Sequence, residues 1–157
     1  MGLAVGSLAG RIGLSWWDQK SAGDYRVLSP LEGRISRAIA DAMFPGDHLG
    51  MPPAEDVDVV DTLDTYLAAI PPHKANLLRL LLHAIDEMAV VSDFGLTRFH
   101  RRPRPERIEI LNAWDDSRIG ARREAFEGLK LIMAMGYCES PEVIEAAGID
   151  YECGGLS

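Results

Sequence analysis

The chain has 157 residues, 47% hydrophobic and 25% charged, with 16 basic against 24 acidic side chains for a net charge of −8. One domain of that size buries roughly two-thirds of the surface its unfolded form exposes. The negative balance argues against general nucleic-acid binding, which needs charge that neutralises phosphate. The two cysteines, Cys138 and Cys153, are too few for a disulfide framework. Free thiols, a single bridge and a bridge to a partner all fit, and a bridge matters only in an oxidising compartment.

The chain opens on an apolar arm. Met1 to Trp17 carries a single charge, Arg11, among Gly, Ala, Leu, Val, Ile, Ser and Trp. It is too short and too weakly apolar to span a bilayer, and it lacks the basic start and small-residue cleavage site of a secretory signal. Trp16 and Trp17 are therefore candidate partner contacts. The expected organisation is an arm and connector over 1–27, a helical domain over 28–150 and a tail over 151–157.

Ser29-Pro30-Leu31-Glu32 announces the first helix. Serine is a preferred N-cap, proline loses nothing at the first helical position, and glutamate three residues after the cap completes a capping box. Leu31, Ile35, Ala38, Ile39 and Ala42 follow helical spacing, and Pro45-Gly46-Asp47 ends the run. A second helix is expected from about Asp56 to Ala69, with Val59, Val60, Leu63, Tyr66, Leu67 and Ile70 inward. Its acidic first turn suits the helix dipole. Pro71-Pro72 separates it from a third helix over about His73 to Val91, apolar on most of its circumference and so expected to be the central element.

Gly95 breaks that pattern, and an arginine-rich connector follows. A short fourth helix is expected over about Pro105 to Asp115, presenting Ile108, Leu111 and Trp114. Ser117 is placed to cap a fifth helix reaching Tyr137, with Phe126, Leu129, Met133 and Tyr137 on one face. Ser140-Pro141-Glu142 starts a sixth, with Gly148 suited to its left-handed C-terminal position. No alternating β-branched run appears. The reading is all-α, about six helices behind an apolar arm.

Candidate chemistry is sparse. None of the four histidines, His48, His73, His83 and His100, follows a glutamate by three residues, as a di-iron bundle would require. His83 with Asp86 and Glu87 shares a helix face, but a partly exposed, hydrogen-bonded His83 is the simpler reading. There is no Gly-x-Ser-x-Gly elbow and no Gly-x-Gly-x-x-Gly after a strand. Arg98, Arg101, Arg102 and Arg104, with Arg107 and His100, form the basic concentration. They read either as a solvated linker with local ion pairs or as a partner interface, where the planar guanidinium favours carboxylates. Trp114, Phe126 and Tyr137 read as core anchors.

The order of these features resembles the gluconate 2-dehydrogenase subunit 3 family. The resemblance runs from Leu28-Ser29-Pro30-Leu31-Glu32 and Met43-Phe44-Pro45-Gly46 through Phe99, Arg107, Leu111, Trp114, Ser117, Arg123, Phe126, Leu129-Lys130 and Tyr137. It ends on Pro141, Val143, Gly148 and Asp150-Tyr151. It implies a non-catalytic small subunit of a flavin-dependent sugar or alcohol oxidoreductase of the glucose-methanol-choline type. FAD would lie in the large subunit, a cytochrome would accept the electrons, and the small subunit would support folding, stability or export. The family transfers no catalytic residues. Its members often begin with a twin-arginine export signal, and no arginine pair precedes the apolar run here. The arm reads either as the remnant of such a signal, for a periplasmic complex, or as a packing segment, for a cytoplasmic one. The alternative to a subunit is a free-standing helical adaptor or regulatory domain with an unrelated partner.

Overall fold

The computed structural model describes residues 25–46, 50–92 and 97–149. The capping box forms as expected. The Ser29 amide donates to Glu32 Oε2 at 2.7 Å, and the Glu32 amide donates to Ser29 Oγ at 3.3 Å. It opens α1, Pro30–Met43. Ile35 and Ile39 are fully buried, and the small residues Ser36, Ala38, Ala40 and Ala42 around them are buried too. Small side chains on several sides let neighbours approach from several directions. α1 touches the second, third and fourth helices and both of the fold's 3₁₀ turns, Ala54–Asp56 and Phe99–Arg101. It is the central element. After α1 the chain turns at Gly46, where φ is +74° and a Cβ would stand 2.5 Å from the Pro53 nitrogen. Glycine alone fits both conditions.

α2 spans Val59–Ala69, three residues shorter at its start than expected, because Ala54–Asp56 is spent on the 3₁₀ turn and Val57 is extended. Val59, Val60, Leu63 and Leu67 are buried and Ile70 half-buried, but Tyr66 is 39% exposed. The buried arc of α2 is rotated toward Asp64, which is itself buried. Asp64 accepts the backbone N–H groups of Arg26, Val27 and Leu28 at 2.6, 3.0 and 2.8 Å. One carboxylate thus satisfies three backbone amides that lie outside any helix. It fastens the chain before α1 onto α2.

α3, Pro72–Ser92, is not the central helix that its composition suggested. Leu81, Leu82, Ile85 and Ala89 are buried, while Leu77, Leu80 and Met88 are 64, 42 and 41% exposed. It forms a wall, with one apolar face inward and another outward.

α4, Arg104–Asp115, α5, Gly120–Cys138, and α6, Pro141–Ala146, complete the six α-helices among the described residues, which contain no strand. Trp114 and Phe126 meet at 6.3 Å between ring centres, and Leu129, Met133 and Tyr137 continue that buried face. Tyr137 stacks on Phe44 at 4.3 Å and its hydroxyl donates to the Pro52 carbonyl at 2.5 Å, tying α5 to the loop after α1. Where α5 crosses α2, Gly136 lets Thr62 in, since a Cβ there would lie 3.0 Å from that side chain. Ser117 stands two residues before the observed cap, Ile119, and its hydroxyl accepts that residue's amide at 3.3 Å. Gly148 takes the left-handed conformation, φ +63°. No described helix is long and apolar enough to cross a membrane.

Candidate functional site

Most of the connector arginines bond to the domain's own carboxylates and carbonyls. Arg98 pairs with Glu87 at 2.8 Å, and Arg101 is exposed. Arg102 is only 8% exposed. Its Nη2 donates to the Ala89 carbonyl at 2.7 Å, Nε to Thr97 O at 3.1 Å and Nη1 to Glu106 at 3.3 Å. A guanidinium so placed ties the connector to the last turn of α3 through that carbonyl. Arg104 and Arg107 both donate to Asp41, Arg107 at 2.5 Å, and Arg107 also donates to Ala38 O at 3.0 Å. These two residues staple α4 onto α1. Of the proposed contact residues, Arg102 and Arg104 are thus committed to intrachain bonds. Trp16 and Trp17 lie outside the described residues.

An outward apolar seam lies on α3, apart from the exposed Leu131 and Met135 on α5. Leu77, Leu80 and Met88 are exposed, with half-buried Ala84 between them. The spacing i, i+3, i+7, i+11 puts them in one seam along a helix, about 16 Å from end to end. At its C-terminal end Met88 borders a groove of about 270 Å³ that Ile110, Trp114 and Arg122 also line. The Arg122 guanidinium lies 4.2 Å over the Trp114 ring, covering one edge of the core.

Behind the seam, the inner side of α3 carries polar groups. The sequence put His83, Asp86 and Glu87 on one helix face, yet the fold sends each to a different partner. His83 is buried and donates from Nε2 to Glu32 Oε1 at 3.2 Å, where Arg79 Nε also donates at 2.9 Å. Asp86 turns to His100, and Glu87 to Arg98. Burial pushes the Glu32 carboxyl up, but hydrogen bonds from His83, the Ser29 amide and Arg79 outweigh it and hold it below its ordinary value. Among the described residues, no group of three His, Cys, Asp or Glu side chains is placed to hold a metal ion.

Asp86 and His100 form a second buried pair. Asp86 Oδ1 accepts from His100 Nδ1 at 2.7 Å and from the His100 amide at 3.0 Å, while Oδ2 is buried without a partner. A carboxylate at Nδ1 holds a proton on that nitrogen and fixes the orientation of the ring. His100 also lines a cleft of about 470 Å³ between α1, the first 3₁₀ turn and the start of α2. Neither pair was foreseen from the sequence. Glu32 had a complete local explanation in the capping box, and Asp86 and His100 are joined only by the folded backbone. Spacing along α3 was the one available signal, and it suggested a shared site.

No family model, curated protein or solved structure matches this chain.

Proposed function

We propose that this chain is a non-catalytic accessory subunit that binds a larger flavin-dependent oxidoreductase of the glucose-methanol-choline type and supports its folding, stability or export. The observation that carries the reading is the seam of Leu77, Leu80, Ala84 and Met88 on the outer face of α3. A helix that spends leucines on both faces has a second surface to cover, and exposed apolar seams of this kind mark contacts with other chains. The family resemblance gives the partner its class. FAD belongs to that partner, and a cytochrome takes its electrons.

The connector contributes less than its charge suggests, since Arg102 and Arg104 are bonded within the domain. Exposed Arg101, with Arg98 where it extends past its pair with Glu87, is placed to meet a partner's carboxylates at the rim. Co-expression with a flavoprotein encoded beside this chain is expected to raise the soluble yield of both, and the two are expected to co-elute in size-exclusion chromatography. A chain that stays monomeric beside every co-encoded oxidoreductase, with both folding fully alone, overturns the subunit reading and favours an adaptor with an unrelated partner.

A further inference from the structure

The cleft beside His100 is built from two sides of opposite charge. α1 supplies Arg34 and Arg37, three residues apart and therefore on one helix face. The facing segment supplies Glu55 from the 3₁₀ turn and Asp58 and Asp61 from the start of α2. Asp41, also on the α1 side, is neutralised by Arg104 and Arg107. Among the described residues no ion pair joins Arg34 or Arg37 to Glu55, Asp58 or Asp61, although all five line the same cleft. Between them the lining is apolar, with Ala38, Ala54, Val57 and Val60. The volume of about 470 Å³ falls in the range of small-molecule sites.

We infer that this cleft binds a small zwitterion, a free amino acid with an apolar side chain. A lone anion drawn by the arginines meets three carboxylates, and a lone cation drawn by the carboxylates meets two guanidiniums. A molecule that carries both charges gains on both sides. Its carboxylate matches the planar donor fork of Arg34 and the donors that Arg37 keeps beside its 2.6 Å bond to the Tyr25 hydroxyl, and its ammonium matches the carboxylates of Glu55, Asp58 and Asp61. Its side chain covers the alanines and valines between. His100 adds direction. Its side chain lines the cleft, and the bonds of Nδ1 and the backbone amide to Asp86 fix the ring in place there. None of this depends on the outer face of α3, so ligand binding and partner docking succeed or fail separately.

The test is titration of the full chain with leucine, followed by amide and histidine-ring nitrogen NMR. Isocaproate, which lacks the ammonium, and isoamylamine, which lacks the carboxylate, serve as single-charge controls. Leucine is expected to shift Ala54, Val57, Val60 and the His100 ring saturably, and to bind at least about tenfold more tightly than either control. Arg34→Gln and Asp61→Asn are each expected to weaken leucine by about tenfold, and both lie at exposed positions where the fold tolerates change. Controls that bind as well as leucine, shifts that do not saturate, or variants that bind leucine like the parent all overturn the inference.

Discussion

The two ends of the molecule are held together by different physics. Around α1 the fixed points are carboxylates: buried Glu32 between Ser29, Arg79 and His83, buried Asp64 under three amides, and half-buried Asp41 between two arginines. Around α5 they are aromatic rings and long apolar side chains, with Trp114, Phe126, Met133 and Tyr137 all buried. Area burial is non-directional and tolerates small shifts, whereas a buried carboxylate fixes its partners to particular atoms. The first end is therefore set in register by its charges. The second supplies bulk stability.

The largest expected effect tests the aromatic end. Phe126→Ala removes a 2% exposed ring from between Trp114 and the Leu129–Met133 face. It is expected to cost about 3–5 kcal/mol, read from the denaturant midpoint. An unchanged midpoint would mean that α5 is not part of the core. At the polar end, Glu32→Ala leaves Arg79 and His83 without their shared carboxylate. Breaking a buried pair is expected to cost about 3 kcal/mol. A neutral outcome would show that α1 is held by its isoleucines alone and would remove the contrast between the two ends.

The pH dependence sharpens the same contrast. The folded-state pKa of Glu32 lies below its ordinary 4.5, so its contribution is fully present above that value and is lost as pH falls through the folded value. Burial raises the Tyr137 phenol above its ordinary 10.0, with a smaller push from the Cys138 thiolate. Its contribution is present below 10.0 and is lost as pH rises through the folded value. Acid should thus loosen the polar end first and alkali the aromatic end. With Trp16→Phe and Trp17→Phe in the background, tryptophan fluorescence follows Trp114, and ring NMR of His83 follows the Glu32 contact. Glu32→Gln is expected to flatten the acid limb alone, and Tyr137→Phe the alkaline limb alone. A variant that flattened the opposite limb would refute the assignment.

What the sequence disclosed divides along the same line. The capping box, the inward face of α5 and the left-handed Gly148 are local signals, carried by residues within a few positions of each other. They were legible. The central place of α1 was not, because its importance lies in alanines and serines that permit close approach, and a search for large apolar side chains passes over them. Glu32 shows a second limit. A carboxylate has room for several donors, so a capping bond that explains one oxygen leaves the other free for Arg79 and His83 across a gap of about fifty residues. Arg102 misled for the reverse reason. Arginines in a connector read as solvated, but the folded backbone brings the Ala89 carbonyl at the end of α3 within reach of this one.

The smallest expected effect on stability is the most telling for function, and it concerns the outer face of α3. Leu77→Asp with Leu80→Asp changes two residues that are 64 and 42% exposed and removes little buried area. Substitutions at such positions usually fall within about 0.5 kcal/mol each, and aspartate adds only a modest loss of helix propensity. Helicity by circular dichroism and the denaturant midpoint should therefore stay close to the parent. In a complex the same two positions would sit under a partner, where burying a carboxylate without a counter-charge is expensive. Co-elution with the flavoprotein should then be lost while the chain itself remains folded. Arg98→Glu with Arg101→Glu provides the comparison, since rim charges alter mainly the rate and salt dependence of association. If the aspartate pair leaves the complex intact and the glutamate pair dissolves it, the interface lies on the connector and not on α3.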